Sequence, residues 1–540
     1  MKIFKLFPFA CAALMMTACS SDNDIEGGAT NPGGDAQYLA VNIVNVGTTP
    51  TGRAAVPGYE DGTTEESKIN KIRFYFFHAD GSAYGLKNAT GGVDNYIEKT
   101  TTTTAADGTN TVGAITNAIL VIEGTTKQAP ASVIAVVNPE SITPALGTDP
   151  KSLTELTNNL TGTQFYTIAT KDNFAMTNSV YVEAGRTVCP SLVAGHIGTD
   201  KTTAEANPVK IYVERVVAKV GADLSTLTAD VDGTGKYGMQ VGTYASKDIY
   251  AVIDGWGVAD ENDNAYVEKH ITNSWTDAGL GFTTTWTTAD YHRSFWETSP
   301  AFAAGTPTNH TFAEYTAQHN DVLYTLPNTP TAATTDIYKN DLTKFLVTAT
   351  LKYKDGTGTW QNAEICKYQG VEYLGIDALK EAIATTFNMY YTEAGGVYTP
   401  IQAGDVDFTT TGTSLKDYQV SPVLKTGKTY YKKNPTGTGY TPLTTENIST
   451  YPAEVREGGK AYYYIPIKHL GSDNSVAQYG VVRNHWYKVK VNSLKGFGTP
   501  VYAADKTIIP TMPDDSNTYL AAQINVLQWR VVTQDVNLGK

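Results

Sequence analysis

The stretch YLAAQINVLQWRVVTQDVNL, residues 519–538, predicts that the chain ends in β-structure. It is rich in Val, Ile, Leu and Trp and contains neither Gly nor Pro, which is the composition of strands. Ahead of it lies a segment with Pro510, Pro513 and two aspartates, which is typical of a loop. We therefore expect a strand-forming tail that a flexible connection joins to the rest of the protein.

The apolar residues of this tail change parity twice, so they cannot all face one side of a flat strand. A bulged strand, or two short strands in series, would accommodate the changes. The tail is then either the last strand of the final domain or a strand that pairs with another copy of the protein. The candidate pairing residues are Ile524, Val526, Leu527, Trp529, Val531, Val532, Val536 and Leu538.

Length and composition indicate a large extracellular β-protein. At 540 residues the chain is too long for one core, so two or more domains are expected. Tyrosines number 34 against 16 phenylalanines, and only 18% of residues are charged, which favours an all-β protein over a cytosolic α/β enzyme. The net charge of −13, without any basic run, argues against nucleic acid and anionic membrane surfaces as partners.

The N-terminus carries an export signal. Residues 1–18 contain Lys2 and Lys5 followed by an apolar run that is too short to span a bilayer, as in a secretory signal peptide. Ala18 directly before Cys19 resembles a bacterial lipobox, which would make Cys19 an acylated N-terminus. Cleavage without lipid attachment is the alternative. The acidic residues 20–24 resemble the export signal of surface lipoproteins in Bacteroidetes, so we expect the chain to reach the cell surface.

The next segment combines a buried strand with an exposed loop. Residues 38–46 are apolar on both faces, which predicts a strand covered on both sides. A loop of small and polar residues follows and contains Arg53 and Ala54. Such loops are where proteases cut, although a single arginine is weak evidence for a cleavage site.

The body of the chain shows strands at intervals, as in β-sandwiches. A Gly- and Asp-rich segment at 221–238 predicts a domain boundary, and residues 260–340 have few strand signals. Predicted helices cover 153–160 and, with apolar residues at 3- and 4-residue spacing, 376–387. The predicted strands are 69–77, 118–123, 133–138, 181–183, 209–220, 250–258, 342–353, 461–468 and 486–491.

No catalytic or metal-binding pattern stands out. Only two cysteines, Cys189 and Cys366, lie beyond the leader, which excludes a disulfide scaffold, and whether they pair stays open. The segment 427–429 lacks the first glycine of a phosphate loop. Residues 230–235 have calcium-loop spacing, but the twelfth position is Val241 instead of a glutamate, so a turn is predicted. We expect no enzyme activity, cofactor or metal.

Three segments resemble the minor-fimbrillin family of Bacteroidales, protease-processed type V fimbrial subunits of the major-shaft kind. These are VERVVAKV (213–220), YGVVRNHWYKVKVNSLKGFG (479–498) and INVLQWRVVTQDVNL (524–538). The Val-Val-Arg-Asn-x-x-Tyr pattern at 481–487 and the Trp-bearing tail are the most specific parts. The resemblance covers most of the chain from about residue 38.

The resemblance implies an all-β fold of two tandem Greek-key or transthyretin-like β-sandwich domains with a few short helices. The implied segments are a signal peptide, a lipidated propeptide that includes strand 38–46, two domains and a donor-strand tail. Their bounds are 1–18, 19–53, 54–221, 222–518 and 519–540.

The resemblance also implies an assembly route. The chain would be an outer-membrane lipoprotein, palmitoylated at Cys19, until an Arg-specific surface protease cuts between Arg53 and Ala54. Strand 38–46 would then leave, and the C-terminal strand of another copy would fill the groove. The partners would be copies of the chain and accessory anchor and tip subunits, in a fimbrium that supports adhesion and colonisation. The alternative is a glycan- or host-binding surface lipoprotein that never polymerises and keeps residues 19–53.

Overall fold

The computed structural model shows a chain that is folded almost entirely as β-strands around three main apolar cores. The predicted all-β fold class, with a few short helices, is confirmed. Among the described residues, no helix combines the length and apolarity needed to cross a bilayer. The described residues are 37–46, 62–88, 90–100, 112–126, 128–179, 181–183, 186–188, 190–270, 297–317, 322–329, 341–410, 416–443, 451–469, 479–510, 519–527 and 532–534.

The first core is covered by a nine-stranded sheet of order β13-β1-β14-β9-β7-β2-β5, with β6 added beside β1 and β12 beside β7. Helices α1 (Thr64–Ser67) and α2 (Lys201–Ala206) belong to this region, as does a turn of π-helix, Glu155–Asn159, within the predicted helix 153–160. The strands are β1 (Gln37–Val46), β2 (Lys71–Phe77), β3 (Leu86–Lys87), β4 (Val93–Asp94), β5 (Tyr96–Thr100), β6 (Val112–Ile122), β7 (Ser132–Val137), β8 (Thr161–Gly162), β9 (Met176–Asn178), β10 (Tyr181–Glu183), β11 (Arg186–Val188), β12 (Ser191–Leu192), β13 (Ile197–Gly198) and β14 (Val209–Arg215).

The strand β2 shows how the apolar pattern forms this core. Ile72, Phe74 and Phe76 alternate along it and are fully buried, as period-2 spacing predicts. Tyr75 and Phe77 on the opposite face are fully buried as well, so both faces of the sheet are covered at β2, which lies between β5 and β7.

The single strand predicted at 209–220 is two strands, because the chain passes from the first core to the second at Val217–Ala218. The chain then forms helix α3 (Phe312–Ala317) and six strands, of which the fourth pairs with β8 of the first region. These are β15 (Ala218–Asp223), β16 (Gly238–Tyr244), β17 (Lys247–Ala259), β18 (Ala265–Tyr266), β19 (Leu323–Thr325) and β20 (Lys344–Lys354).

Residues 365–455 contain a third core of their own, which we call the middle module. The predicted amphipathic helix is α4 (Ile376–Thr386), whose Leu379 and Ile383 are buried in this core. Two sheets complete the module, of orders β23-β22-β30-β27-β26 and β25-β24-β28-β29. The strands from β20 onward are β21 (Trp360–Asn362), β22 (Ile365–Tyr368), β23 (Val371–Leu374), β24 (Tyr390–Ala394), β25 (Val397–Pro400), β26 (Val406–Thr409), β27 (Gln419–Leu424), β28 (Tyr430–Lys433), β29 (Tyr440–Pro442) and β30 (Ala453–Val455).

The chain then returns to the second core and completes a β-sandwich. One sheet has the order β19-β15-β32-β34-β35, and the facing sheet has the order β16-β17-β20-β31-β33 with β21 beside β20. Side chains from both sheets, such as Val489 and Val347, meet in the second core. The last strands are β31 (Lys460–Pro466), β32 (Trp486–Lys495), β33 (Thr499–Pro500), β34 (Tyr519–Leu527) and β35 (Val532–Gln534).

Two local predictions can be checked directly. Residues 230–235 form a turn, in which Asp230 accepts a hydrogen bond from the Gly235 amide at 2.6 Å and Asp232 pairs with Lys352 at 2.6 Å.

Cys366 is a free, buried thiol, and burial raises its pKa to about 12. Cys189 lies outside the described residues.

Candidate functional site

Strand β1 is held on both of its edges. On one side it runs antiparallel to β6 from Gln37↔Ile122 to Val46↔Val112. On the other side it runs parallel to β14 from Val41↔Val209 to Asn45↔Val213, after a short antiparallel contact with β13. Removing β1 would therefore leave a slot between β6 and β14 with unpaired backbone groups on both walls.

The side chains of β1 also fill the first core. Leu39 is fully buried and Val41 is 1% exposed. Both belong to the same apolar cluster as Leu120 of β6 and Val209 of β14. The slot would thus be lined with apolar side chains as well as with backbone hydrogen-bonding groups, and water would satisfy only the latter.

The C-terminal tail is attached to the second sandwich in a different way. Strand β34 pairs with β32 from Lys495↔Tyr519 to Trp486↔Leu527, with one bulge near Ser493. Its Leu520 and Ala522 are each 1% exposed and belong to the second core. The first half of the tail is therefore part of the sandwich.

Strand β35 turns back on β34 and contacts it through three register pairs, between Val526↔Val532 and Ile524↔Gln534. Within the described part of the chain it has no other strand neighbour, so it is the edge of its sheet. The tail does split into two strands, but they form an antiparallel hairpin instead of lying in series.

Several predicted site residues lie outside the described residues: Cys19, Arg53, Ala54, Trp529, Val531, Val536 and Leu538. Of the others, Ile524, Val526 and Leu527 lie in β34, and Val532 lies in β35. The backbone of Ile524 pairs with Val489 and Gln534, so it is engaged on both sides.

Between the first core and the second lies a buried group of charged residues that we call the junction cluster. It contains four acids and four bases, none more than 4% exposed. Its members are Glu66, Glu214, Glu268, Glu297, Arg215, Lys219, Lys269 and Arg483. Because the two signs are equal in number, the cluster can be buried without net charge.

Glu66 is the centre of one half of the junction cluster. Helix α1 presents it through a capping box with Thr63. Its carboxylate pairs with the Lys219 ammonium at 2.7 Å and accepts a hydrogen bond from the Tyr324 hydroxyl. The Arg215 guanidinium donates to the Glu66 carbonyl at 2.7 Å and to Asn484 Oδ1 at 3.2 Å. These contacts tie α1, the start of the second sandwich and the 483–487 segment together.

Arg483 is the centre of the other half. It is fully buried and donates from Nε to Glu297 Oε2 at 2.7 Å and from Nη1 to the Val267 carbonyl at 3.0 Å. Lys269 lies 3.7 Å from Glu214. Backbone bonds reinforce the contact, since the Asn484 amide donates to Val217 and the Lys219 amide donates to His485, each at 2.8 Å.

The titration of the junction cluster follows from burial and pairing. Burial raises the pKa of Glu66, but the hydrogen bonds from Lys219 and Tyr324 and the charges of Lys219 and Arg215 outweigh it and leave this pKa below its ordinary value. Burial lowers the pKa of Arg215 to about 10 and also lowers that of Lys269. Glu66 and Arg215 are thus both charged at neutral pH.

The sequence marks this cluster by charged residues that interrupt apolar runs, but it does not show which residues pair. Glu214, Arg215 and Lys219 interrupt the apolar run at 209–220, and Arg483 interrupts the run at 479–491. Charged residues inside strand-like apolar runs indicate buried pairs, but the partners lie far away in the sequence. Arg483 and Glu297, for example, are 186 residues apart.

The two ends of the described chain match families of fimbrial subunits. Residues 38–215 match the family described as the major fimbrial subunit protein FimA. Residues 456–535 match the C-terminal region of the type IV major fimbrial subunit protein, fimbrillin. The chain belongs to the fimbrillins. The family prediction is thereby confirmed, and both the buried N-terminal strand and the C-terminal hairpin lie inside the matched regions.

Solved structures with low sequence identity resemble this fimbrillin. One is a candidate cell adhesion protein from Bacteroides eggerthii, with 13% identity, a TM-score of 0.35, and 94% of this chain and 99% of that chain covered. Another is a fimbrial assembly protein from Parabacteroides distasonis, with 12% identity, a TM-score of 0.26, and coverage of 76% and 100%. A third is the C-terminally truncated tip fimbrial protein Mfa3 from Porphyromonas gingivalis, with 11% identity and a TM-score of 0.28. It covers 92% of this chain and 100% of that chain. A search of curated proteins found no match.

The family decides the broad role of this fimbrillin. It is a structural component of a cell-surface fimbria that assembles with other fimbrial subunits. The families are those of structural proteins and not of enzymes. Residues 216–455, which include the whole middle module, lie between the two matched regions.

Proposed function

We propose that this fimbrillin is a shaft subunit that is exported as a lipoprotein through Cys19, cut after Arg53, and polymerised head to tail by strand exchange. The observation that carries the proposal is the position of β1, which is inserted between β6 and β14 and lies upstream of the arginine. Before cleavage β1 occupies the groove and prevents assembly. After cleavage it leaves, and the groove accepts a strand from the next subunit.

The physical drive for this exchange is the cost of an open groove. Each apolar side chain of the size of Leu39 or Val41 contributes roughly 1.5–3 kcal/mol when it is buried. A donated strand restores both the apolar contacts and the backbone ladder. Because donor and acceptor are different surfaces, the contact does not close on itself and yields a filament.

The donor within the predicted tail 519–540 is the part beyond β34. Strand β34 supplies Leu520 and Ala522 to the second core and is paired along its whole length with β32. Strand β35 is held by three register pairs at a sheet edge. At roughly 0.5–1.5 kcal/mol per backbone hydrogen bond, its release is much less costly than that of β34. Strand β35 therefore leaves the hairpin, and residues 528–540 enter the neighbour's groove, with Leu527 as the hinge.

The first test is the cleavage site. Arg53→Ala should leave a surface-tethered, unpolymerised protein, because β1 stays in its own groove. Electron microscopy of shed surface material with an antibody to this chain measures the filaments. Normal filaments formed by the Arg53→Ala protein would contradict the cleavage step.

A matched control separates loss of the protease site from damage to the loop. The double variant Arg53→Ala, Ala54→Arg moves the arginine by one residue and should restore both cleavage and filaments. Mass spectrometry of the mature N-terminus completes the test. A chain that begins at residue 54 supports a shaft subunit, whereas an acylated Cys19 on the mature protein supports an anchor subunit or a surface lipoprotein that does not polymerise.

A further inference from the structure

One contact between a lysine and an aspartate in the second sandwich is completely enclosed by protein. Lys344 Nζ and Asp260 Oδ2 lie 2.5 Å apart, and both side chains are fully buried. Strand β17 ends at Ala259, whose register partner on β20 is Lys344, and Asp260 is the next residue along the chain. The pairing of the two strands therefore holds the amine and the carboxyl group together.

The other short contacts between lysines and carboxylates in the described part of the chain have different surroundings. Lys236, Lys352 and Lys428 reach their partners at 2.6–2.7 Å, but these lysine side chains are between 22% and 50% exposed. Lys219 and Glu66 are both buried, but hydrogen bonds and positive charges outweigh the effect of burial and keep the pKa of Glu66 below its ordinary value. These pairs are therefore ordinary ion pairs.

The surroundings of Asp260 favour the uncharged form of its pair. Ala259, the residue before it, is part of a fourth, smaller apolar core. Burial raises the pKa of Asp260 above its ordinary value, and Lys344 and Asn309 offset this rise only in part. When one proton moves from Nζ to Oδ2, the pair becomes an amine and a carboxylic acid. A nucleophile and the carbon that it can attack are then in contact.

Two further side chains complete the arrangement. Asn309 Nδ2 donates a hydrogen bond to Asp260 Oδ1 at 2.7 Å, whereas Lys344 contacts Oδ2. A donor at Oδ1 stabilises the negative charge that develops there when the carboxyl carbon is attacked. The Asp341 carboxylate is near enough for its charge to raise the Asp260 pKa, and its Oδ1 is buried without a hydrogen-bond partner among the described residues. Asp341 can therefore carry a proton during the reaction.

We propose that Lys344 and Asp260 form an intramolecular isopeptide bond that links β17 to β20. The Nζ lone pair attacks the Asp260 carboxyl carbon and forms the C–N bond, while the carbonyl electron pair moves onto Oδ1. A proton passes from the nitrogen through Asp341 to the Oδ2 hydroxyl, the C–O bond breaks, and one water molecule leaves. The carbonyl then re-forms at Oδ1. Nothing is oxidised or reduced, and water is the only other product.

The fold favours this bond and gives it a local role. Effective concentrations for well-oriented groups within one molecule reach about 10⁵–10⁸ M, and burial keeps bulk water from reversing the reaction. The bond would close the base of the segment 261–343, which brings Lys269 and Glu297 to the junction cluster. The inference is separate from strand exchange, because the bond lies in the second sandwich and involves neither β1 nor β35.

The test is mass spectrometry of the purified full-length secreted chain under denaturing conditions. Most molecules should be lighter by one water molecule than the same chain without the bond. Tryptic digestion should then yield a branched peptide in which residues 248–269 are joined to residues 340–352, because trypsin does not cut after a lysine that is part of an amide. Fragmentation of this peptide should place the bond between Asp260 and Lys344.

Matched variants assign the loss of water to this pair. Lys344→Arg keeps the positive charge but has no primary amine, so it should restore the missing water and abolish the branched peptide. Lys352→Arg changes another paired lysine of β20 and should keep both signs of the bond. Asp341→Asn should slow bond formation about a hundredfold and leave most of the purified chain without the bond. The unchanged chain decides the main question by itself, so a variant that fails to fold does not obscure the result.

Three results would overturn the proposal. The first is an unchanged chain with its full mass, which would show that Lys344 and Asp260 form only an ion pair. The second is a loss of water that fragmentation places at an Asp-Gly step such as Asp254–Gly255, where a cyclic imide loses the same mass. The third is a loss of water that persists in Lys344→Arg. Complete bond formation in Asp341→Asn would contradict the role of Asp341 as proton carrier.

Discussion

The two terminal strands of this fimbrillin are both inserted into sheets, but they are held very differently. Strand β1 has neighbours on both edges and lies inside its sheet. The two strands of the C-terminal hairpin are held unequally, since β34 is paired along its whole length and β35, among the described residues, is held by β34 alone. An interior strand leaves a slot when it is removed, whereas an edge strand leaves its sheet intact. The difference supports the proposed roles of the first sheet as acceptor and of the tail as donor.

Truncation of the tail should have the largest effect on stability and assembly, and a different outcome would contradict this comparison of the two strands. Deleting 519–540 removes β34 and should unfold or strongly destabilise the second sandwich, because burial of Leu520 alone is worth roughly 2–5 kcal/mol. Deleting 528–540 should leave the urea unfolding curve of the monomer nearly unchanged and abolish filaments. If both deletions leave a stable monomer, β34 is not part of the second sandwich, and the donor includes it.

A core substitution in β1 should have a smaller effect that depends on processing. Leu39→Ala should destabilise the uncleaved precursor by roughly 2–5 kcal/mol, because the side chain is fully buried. The same substitution should leave the cleaved subunit unaffected, since β1 has gone. Urea unfolding before and after cleavage measures the difference.

The control for that experiment is Leu120→Ala in β6. Leu120 is equally buried in the same core but lies beyond the proposed cleavage site, so its substitution should destabilise both forms. An equal effect of Leu39→Ala before and after cleavage would show that β1 remains in the groove.

The smallest effect should come from the pH dependence of Glu66, which lies just after the proposed cleavage site. Its pKa is lowered in the folded protein, so it stabilises the fold above its ordinary pKa, and this stability is lost as the pH falls through the folded value. The Glu66→Gln variant should therefore lose less folding stability than the unchanged protein as the pH falls below about 4.5.

The matched control for this experiment is Glu65→Gln, since Glu65 is exposed on the same helix. Acid titration of the thermal midpoint should show the Glu66 effect equally in precursor and cleaved protein, in contrast to Leu39→Ala. An effect restricted to the precursor would mean that Glu66 depends on β1.

The sequence predicts the local parts of this fold well. The alternation of Ile72, Phe74 and Phe76 predicts β2, and the spacing of Leu379 and Ile383 predicts α4, because both patterns repeat within a few residues. The break between β14 and β15 is missed, since the run at 209–220 has the same composition on either side of Val217 while the core that it faces changes. The middle module is also missed, because its other sheet pairs β22 with β30 at Cys366↔Val455, residues that are far apart in the sequence.

The site is predictable only in outline. The apolar segment 38–46 and the tail can be recognised as unusual strands, but their neighbours in the sheets cannot be read from spacing. The pairing of Lys219 with Glu66 and of Arg483 with Glu297 joins residues more than 150 positions apart, and no local pattern encodes such a partner. The predicted domain bounds and processing residues stay predictions.

The junction cluster has a mechanical consequence for a filament of such subunits. A pulling force would enter at the groove wall β14, pass through two residues into β15, cross to β32 and leave through β34. At the crossing, the chain is braced sideways by Arg215 against Asn484 and by Lys219 against Glu66. Several short polar contacts would then bear the force together. Each subunit would therefore transmit the force as a stiff link instead of stretching between its first and second cores.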